Sequence, residues 1–294
     1  MSSADIAVTF FRKLESEDFR VLQALELGMS QHSFIPLEEI VKYSGLHPSE
    51  VEFRISSLHK EKLLRRWAGA YVGYSLNNAG YDCLAINALV RGDVLEAFGK
   101  PLGVGKEADV YDALTPTDER VAVKFHRIGR TSFRDTQRKR GYERDRGHTS
   151  WLYRSRLSAE KEFEALKLVY PVGVAVPRPI SQNRHVVVMG LIEGSELAEV
   201  IEIEDPASVL NESLENVRLA YQRAGVIHAD LSEYNIILQP DGHVLLIDWP
   251  QYVTKEHPNA EELLERDVAN VLKFFRRKFK IKRNLDKELA KIKG

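Results

Sequence analysis

The sequence predicts an α+β protein with an N-terminal domain over residues 1–90 and a second, two-lobed domain over residues 91–294. In the first part, apolar residues recur at helical spacing and are followed by two short strand-like runs. From about residue 97, short runs of β-branched and aromatic residues dominate, and two of them end in a charged residue. We expect the two lobes to cover about 97–190 and 191–294.

The composition fits a protein of 294 residues that buries a sizeable core, because 44% of its residues are apolar. The single cysteine, Cys83, excludes a disulfide framework and a cysteine-based zinc site, and it favours a reducing, cytoplasmic setting. No apolar run approaches the roughly 20 residues of a membrane helix, and the N-terminus lacks the apolar core of a signal peptide. We therefore expect a soluble protein with no membrane partner.

The N-terminal domain has four predicted helices, then a β-hairpin and a last helix. The fourth helix covers about 48–62, and the hairpin strands are Leu63–Trp67 and Tyr71–Leu76. This order resembles winged-helix domains, in which the fourth helix would be the recognition helix and the hairpin the wing. Such domains commonly bind nucleic acid. Because residues 1–90 carry a net charge of −2, nucleic-acid contact and protein contact both remain open.

The second domain mixes short strands with helices. Its predicted strands are 98–102, 109–114, 120–126, 185–192, 235–238 and 243–247. Its predicted helices are 157–170, 207–224 and 260–280, before a basic tail. The mixture gives this domain its α+β class.

A turn with two glycines joins the first two of these strands. It reads Gly103-Val104-Gly105-Lys106-Glu107-Ala108-Asp109-Val110, and glycine lets a backbone approach phosphate oxygens and present N–H groups to them. Alone, such a turn is more often a simple hairpin. In the next strand, Lys124 ends the apolar run Val121-Ala122-Val123, and a buried ammonium needs a counter-charge. Glu162, which shares a helix face with Leu166, is expected to supply it in preference to Glu160.

A second group of polar residues lies near the end of the chain. His228-Ala229-Asp230 is followed by Asn235, and Asp248 ends an apolar strand. Carboxylate and amide oxygens are the hard ligands that Mg²⁺ prefers, with phosphates completing its coordination. A carboxylate at the end of a buried strand needs a metal or hydrogen-bond donors. The sequence therefore predicts an ATP site with Mg²⁺, and with Mn²⁺ as an alternative ion.

In this order the motifs resemble the protein-kinase signature, from the glycine loop to the aspartate that ends a strand. The chain departs from it at Ala229 in place of Arg, at Ser232 in place of Lys, and at Asp248-Trp249-Pro250 in place of Asp-Phe-Gly. Only 46 residues follow Asp248, too few for the peptide-binding helices of an ordinary kinase. These departures are similar to the RIO family of atypical kinases, and a winged helix ahead of the kinase domain resembles its type 2 subfamily.

The resemblance implies roles for individual residues. Asp230 is the catalytic aspartate, and Asn235 and Asp248 hold Mg²⁺. Asp248 is also implied to accept phosphate as an aspartyl-phosphate. Met189 to Ile192 are implied to form the hinge beside adenine. Nucleotide contacts are implied for Gly103, Val104, Gly105, Lys106, Glu107, Ala108, Val110, Lys124, Glu162, Met189, Gly190, Ile192 and Ser232.

The resemblance further implies an ATP-dependent serine/threonine kinase or ATPase that acts in maturation of the small ribosomal subunit, and the compact chain indicates an archaeal member. The expected partners are the subunit precursor and its rRNA. Segment 124–156 and the tail 266–294 each carry a net charge of +8, whereas 185–217 has eight acids and no Lys or Arg. We expect nucleic-acid contact through the basic loop 124–156, the winged helix and the C-terminal tail.

Two other functions remain open. A small-molecule phosphotransferase would share the Asp230 and Asp248 motifs, but the winged helix and the basic segments disfavour it. A nucleic-acid-binding regulator with an inactive kinase fold would not need the complete residue set. The phosphate acceptor is not identified, and candidates in the basic loop are Thr131, Ser132, Thr136 and Thr149.

Overall fold

The computed structural model describes residues 2–105, 107–128 and 147–294, with side chains from residue 151 onward in the last range. The chain divides into two compact units. Unit 1 comprises Met1–Leu157 with Gln182–Val186, and unit 2 comprises Ser158–Ser181 with Val187–Gly294. The domain boundary near residue 90 and the lobe limits stay predictions. The predicted α+β class is confirmed, because the described residues form both helices and sheets.

The helices and strands are numbered in chain order. The helices are α1 (Ser3–Phe10), α2 (Ser16–Gly28), α3 (Leu37–Ser44), α4 (Pro48–Lys60), α5 (Asn78–Arg91), α6 (Gly147–Val169), α7 (Pro206–Leu219), α8 (Ala260–Phe279) and α9 (Leu285–Lys293). The strands are β1 (Ile35–Pro36), β2 (Leu64–Ala68), β3 (Val72–Leu76), β4 (Ala97–Val104), β5 (Ala108–Leu114), β6 (Arg120–His126), β7 (Pro179–Asn183), β8 (Val186–Gly190), β9 (Ser195–Glu196), β10 (Val226–Ile227), β11 (Ile236–Leu238), β12 (Val244–Leu246) and β13 (Val253–Thr254).

The first part of unit 1 is a winged helix. Helices α1 to α5 pack around apolar side chains that are fully buried, among them Leu22, Leu25, Ile40, Leu58 and Leu84. The wing is a three-stranded antiparallel sheet in the order β1-β3-β2. The sequence predicted β2 and β3 but not β1, because β1 is only two residues long and contains a proline. Proline at a sheet edge loses no ladder hydrogen bond.

The rest of unit 1 is built on the antiparallel strands β4, β5 and β6. Along β5, buried residues alternate with half-buried ones, as expected for a strand with two different faces. The tip of the β7–β8 hairpin also belongs to unit 1, and it lies beside β6: the N–H of His126 donates to the carbonyl of His185 at 2.9 Å.

Unit 2 combines helices with two small sheets, β9-β11-β12 and β10-β13. Helix α8 turns a buried face inward at Leu264, Val268, Val271 and Phe275, which recur at helical spacing. Trp249 is the largest fully buried side chain of this unit. These elements hold the two loops that contain the polar motif residues.

Three expectations about secondary structure need correction. Helix α6 begins at Gly147 rather than near 157, so the last part of the basic segment 124–156 is helical, while its residues 129–146 lie outside the described range. The strand predicted over 185–192 ends at Gly190. The basic tail contains a packed helix, α9, in which Glu288 and Ile292 are buried. In the part of the chain that the structure describes, no helix is long and apolar enough to cross a membrane.

Candidate nucleotide and metal site

The glycine turn lies between β4 and β5, as predicted. Gly103 pairs with Val110 and Val104 with Asp109, and the N–H of Gly105 donates to the carbonyl of Ala108 at 2.8 Å. A Cβ at Gly105 would lie 3.2 Å from that carbonyl oxygen, whereas a Cβ at Gly103 would meet no atom within 4 Å. The turn therefore leaves open space beside Gly103, where a ligand can approach the backbone. Lys106 lies outside the described residues.

Lys124 stands opposite the end of this turn. In the β5–β6 ladder it is the cross-strand partner of Val110, and both are half-buried on one face of the sheet. Ala108 is half-buried on the same face, because it lies two residues before Val110, and Glu107 is exposed. The structure thus brings the predicted lysine to the end of the glycine turn within unit 1.

Glu162 is buried on α6, with 2% of its surface exposed, whereas Glu160 is half-buried. Leu166, one turn further along, is also buried, as the predicted shared face requires. Lys124 belongs to unit 1 and Glu162 to unit 2, and their ion pair stays a prediction.

His228 anchors the loop that carries Asp230. Its Nε2 donates to the carbonyl of Ile247 at 2.9 Å, and its ring lies 4.5 Å from that of Trp249, centroid to centroid. Burial lowers the pKa of His228, while the nearby carboxylates of Asp248, Asp230 and Glu162 favour the protonated form. All three acidic residues of unit 2 therefore lie close enough to His228 to raise its pKa against the effect of burial.

Asn235 ties this loop to the strand that precedes Asp248. Its Nδ2 donates to the carbonyl of Asp230 at 2.8 Å, and its own carbonyl accepts the N–H of Ile247 at 3.0 Å. The N–H of Asn235 donates to the carbonyl of Ser232 at 3.0 Å, which closes the turn. Because the amide nitrogen is engaged with the loop, the Oδ1 atom is the one that can serve a metal.

Two residues of the site have left-handed backbone, Ala229 with φ 64° and Asp248 with φ 65°. Residues other than glycine seldom adopt this left-handed backbone conformation, because it is strained. Strained backbone conformations of this kind are concentrated at functional sites. Asp248 is half-buried, and the residue after it, Trp249, is fully buried and donates its Nε1–H to the carbonyl of Leu246 at 3.2 Å. The buried indole fixes the turn that presents the Asp248 carboxylate.

Asp267, a buried residue of α8 that the sequence patterns did not indicate, holds the loop that carries Asp230. Its two carboxylate oxygens accept the N–H groups of Ala229 and Leu231 at 2.7 and 3.0 Å. The carbonyl of Ala229 accepts a hydrogen bond from Arg266, and that of Leu231 accepts one from Asn270 at 3.2 Å. The residues before and after Asp230 are therefore both held by hydrogen bonds to side chains of α8. The available signal was an aspartate on the apolar face of α8, which requires donors when buried.

Asp267 gives a pH-dependent contribution to stability. Burial raises its pKa from the ordinary 3.8 to about 6, against the N–H donors of Leu231 and Ala229. Between pH 4 and 6 the folded protein keeps a proton that the unfolded chain has released, so this group's contribution to the free energy of unfolding falls as pH rises, by about 2 kcal/mol over this interval. We predict that the stability of the wild type relative to Asp267→Asn falls by this amount from pH 4 to 6 in urea unfolding. Asp241→Asn, at an exposed turn, is the control, and a pH-independent difference for Asp267→Asn would contradict the prediction.

The predicted hinge, Met189 to Ile192, covers the last two residues of β8 and the two residues after them, all in unit 2. Met189 is buried, and Gly190 and Ile192 are half-buried. The N–H of Gly190 donates to the carbonyl of Arg178 at 2.9 Å, so an adenine could be bound at this residue only through its carbonyl. A Cβ at Gly190 would meet Arg178 at an ordinary 3.5 Å, so packing does not require glycine there.

The residues present fit a magnesium ion held jointly with a nucleotide. Among the described residues, no three His, Cys, Asp or Glu side chains form a cluster that could hold a metal. Asn235 uses its amide nitrogen for the Asp230 carbonyl, which leaves the amide oxygen as its possible metal ligand, and Asp248 adds a carboxylate on a left-handed turn. A few hard oxygen ligands, with phosphates for the remainder, are the usual Mg²⁺ environment at ATP sites.

Comparison with known proteins identifies the family. The RIO domain family matches residues 109–288, and the Rio2 N-terminal family matches residues 11–91. The RIO-type serine/threonine-protein kinase Rio2 of Methanocaldococcus jannaschii is 44% identical over 269 residues, which cover 90% of this chain and 96% of the relative. The Caenorhabditis elegans kinase RIO2 is 42% identical over 92% of this chain, and the chain spans 51% of that relative. An archaeal source stays a prediction, since relatives come from archaea and eukaryotes.

Solved structures agree with the sequence relatives. The Rio2 kinase–ADP/Mg²⁺–phosphoaspartate complex of Chaetomium thermophilum matches with a TM-score of 0.84 and 33% identity, over 97% of this chain and 89% of that chain. The predicted fold, a winged helix followed by a RIO kinase domain, is therefore confirmed. The chain belongs to the RIO family of atypical serine/threonine kinases, in the Rio2 arrangement of an N-terminal domain ahead of the RIO domain.

Proposed function

We propose that this RIO kinase uses MgATP at the site described above, and that it acts in the cytoplasm on the maturing small ribosomal subunit. The observation that carries the catalytic part is the fixed loop around Asp230, which Asp267, Arg266, Asn270 and Asn235 hold through backbone hydrogen bonds. A loop held this firmly keeps a carboxylate in one place before substrate binds, which is how positioning lowers a barrier.

Each predicted residue has a role in this proposal. The backbone of Gly103 to Ala108, with Val110 beside it, receives the phosphates, and Lys124 contacts them with Glu162 as its counter-charge. Met189, Gly190 and Ile192 border the adenine. Ser232 closes the catalytic turn near the phosphates. The phosphate assignments within unit 1 rest on the open glycine turn and on the Val110–Lys124 pair.

Asn235 and Asp248 would hold Mg²⁺, which neutralises phosphate charge when it is bound. Asp230 lies exposed at the tip of the loop, where its carboxylate can accept a proton from an attacking hydroxyl or water. Its exposure permits an incoming group to reach it. Burial lowers the pKa of His228, and the ring orients the loop by donating a hydrogen bond to the carbonyl of Ile247.

A covalent step through Asp248 is part of the proposal. A carboxylate oxygen of Asp248 attacks the γ-phosphorus of ATP, the bond from that phosphorus to the β–γ bridging oxygen breaks, and ADP leaves with the electron pair. Water then hydrolyses the aspartyl-phosphate to restore the carboxylate and release phosphate. Support comes from the related Chaetomium thermophilum kinase, which is described as a phosphoaspartate complex, and from the fixed left-handed turn at Asp248.

The ribosomal part of the proposal rests on surfaces that suit RNA. The wing carries an aromatic cluster, in which Trp67 lies 6.0 Å from Phe34 in a stacked arrangement and 5.1 Å from Tyr71 edge to face. Trp67 and Tyr71 are 37% and 43% exposed, and Arg65 and Arg66 are exposed on the same strand as Trp67. Exposed rings beside cations are what unpaired bases and phosphates bind.

The surface next to the wing adds a concave site. A cavity of about 390 Å³ opens between α4 and the wing, lined by Leu37, Glu52, Ile55, Ser56, His59, Arg66 and Tyr74. Its size would admit a nucleotide, and Arg66 in its lining would meet a phosphate. In unit 2, α9 and the end of α8 expose lysines and arginines, which supports a second RNA contact.

We predict that affinity purification of the tagged protein from its native extract enriches small-subunit rRNA precursors. We also predict that Trp67→Ala weakens RNA binding about tenfold, because stacking on an aromatic ring is worth about 1–3 kcal/mol per base. Enrichment is measured by sequencing the bound RNA, and affinity by titration of the recovered rRNA segment. Leu27→Ala, which changes an apolar residue of α2 that is 59% exposed, is the control. RNA without small-subunit rRNA would overturn the ribosomal role, and equal binding by both variants would overturn the role of the wing.

A further inference from the structure

Unit 1 contains a fully buried charged cluster that the proposed chemistry does not use. Asp82 of α5 accepts two hydrogen bonds from the Arg127 guanidinium, Nη1 to Oδ1 at 2.9 Å and Nη2 to Oδ2 at 2.8 Å. The Nε of Arg127 donates to Asp109 of β5 at 3.1 Å, and His185 contacts Asp82 at 2.6 Å. Asp82 and Asp109 are 0% exposed, His185 1% and Arg127 4%.

Stability alone gives little reason for such a cluster. Moving ions out of water costs several kcal/mol each, and apolar side chains of similar volume often serve a fold as well. Burial lowers the pKa of His185 to about 4, so at neutral pH the cluster holds two carboxylates and one guanidinium. What the ions provide instead is fixed geometry, because a guanidinium fork binds a carboxylate at two points.

Arg127 connects this cluster to the second arm of the glycine turn. Its N–H donates to the carbonyl of Glu107 at 2.6 Å, while its side chain holds the carboxylate of Asp109. Glu107 and Asp109 flank Ala108, and Val110 follows them. One arginine therefore grips the backbone and a side chain of the arm that the sequence assigns to the phosphates.

Side chains of β5 alternate between two faces of the sheet, so the strand can contact the winged helix on one face and the proposed phosphate site on the other. Asp109 and Tyr111 point to its buried face, whereas Ala108 and Val110 point to the face shared with Lys124. On the buried face, Tyr111 donates to Asp5 and lies 3.1 Å from the Ser2 hydroxyl, both at the start of α1. The same strand thus contacts the winged helix on one face and offers the proposed phosphate site on the other.

We infer that Asp82 and Arg127 are positioning residues for ATP, through which the winged helix sets the place of the nucleotide loop. Asp82 orients the Arg127 guanidinium from α5, and Arg127 fixes Glu107 and Asp109. The inference rests on the proposed nucleotide role of the loop. It assigns to the winged helix an effect on ATP affinity without any contact between that domain and ATP. By linkage, MgATP should in turn hold the cluster more firmly.

The test compares Asp82→Asn with a matched control in the full chain. Asp82→Asn keeps the shape of the side chain and removes the charge that fixes Arg127. The control is Glu26→Gln, which breaks the ion pair of α2 with Arg184 of the β7–β8 hairpin, 2.6 Å in length, but touches neither Glu107 nor Asp109. MgATP affinity is measured by titration calorimetry, kcat by turnover at saturating ATP, and folding by thermal unfolding.

We expect Asp82→Asn to weaken MgATP binding about tenfold with kcat within about twofold of wild type, a coupling of ordinary size. Glu26→Gln should bind MgATP as the wild type does, even if both variants unfold at lower temperature. Should Asp82→Asn fail to fold, Asp109→Asn cuts the link to β5 while the fork of Arg127 on Asp82 remains, and the same weakening is expected. Arg127→Lys should lie between wild type and Asp82→Asn.

The outcomes separate this inference from the function on which it rests. Wild-type protein that binds MgATP, with unchanged affinity in Asp82→Asn or Asp109→Asn, overturns the inference and leaves the proposed function standing. Equal loss of affinity in Glu26→Gln also overturns it, because general loosening of unit 1 would then explain the effect. Wild-type protein that binds no MgATP overturns both.

Discussion

Asp230→Asn is expected to lower ATP turnover by about 10²- to 10⁴-fold, the usual contribution of a positioned general base. The hydrogen bonds that hold the loop use the backbone of Ala229 and Leu231, and Asn235 uses the backbone carbonyl of Asp230. Exchange of the carboxylate for a carboxamide therefore removes a base without disturbing the loop. Turnover is measured as phosphate release by the purified protein with MgATP.

Binding of ATP should survive this change, because Asp230 is not among the residues proposed to hold the nucleotide or the ion. We expect the Kd for MgATP to stay within about threefold of wild type, well under the 1.4 kcal/mol of a tenfold change. Glu233→Gln, three residues further along the same loop, removes an equal charge and should turn over normally. Undiminished turnover in Asp230→Asn would reject its assignment as the catalytic aspartate.

Asp248→Asn is expected to abolish a phosphate label that hydroxylamine removes from the wild type after incubation with γ-labelled ATP. An acyl phosphate is cleaved by hydroxylamine, whereas phosphoserine and phosphothreonine resist it. Asn tolerates the left-handed backbone of residue 248 about as well as Asp, so the turn before Trp249 should persist. The variant thus loses the nucleophile and one proposed metal ligand, not the local fold.

Loss of the label in Asp248→Asn could follow from loss of the nucleophile or from loss of the metal ligand, and chemical trapping in the wild type distinguishes the two. Borohydride reduces an aspartyl-phosphate to homoserine, so mass spectrometry of wild-type protein should find homoserine at position 248. Asp241→Asn, an exposed aspartate of the preceding turn, should label as the wild type does. A hydroxylamine-labile label that persists in Asp248→Asn, or homoserine at another aspartate, would contradict the covalent step.

Local patterns in the sequence were enough to find the motif residues. Asp230, Asn235 and Asp248 follow short, fixed spacings, and unit 2 brings the Asp230 and Asp248 carboxylates near His228. Helix periodicity likewise located α2 to α5 within a few residues of their ends. These motif spacings and helix periods have a local physical basis, because a helical face or a turn depends on residues that are close together in the sequence.

The parts that the sequence did not reveal depend on partners far along the chain. Asp267 binds N–H groups 36 and 38 residues away, and Asp82 binds Arg127 across 45 residues. Nothing in the local pattern selects one buried acid as partner for one distant donor. Helix α9 was missed for another reason, since its lysines made an amphipathic helix look like a solvated tail.

The buried link between Asp82 and Arg127 has a consequence for how such a chain can evolve. If the first 90 residues were lost, Arg127 would keep Asp109 but lose both of its hydrogen bonds to Asp82, and the buried face of β5 would lose its partners at Ser2 and Asp5. The two parts are therefore unsuited to independent inheritance. An exchange of N-terminal domains between relatives should give a folded protein only when both Asp82 of α5 and Arg127 after β6 are retained as a pair.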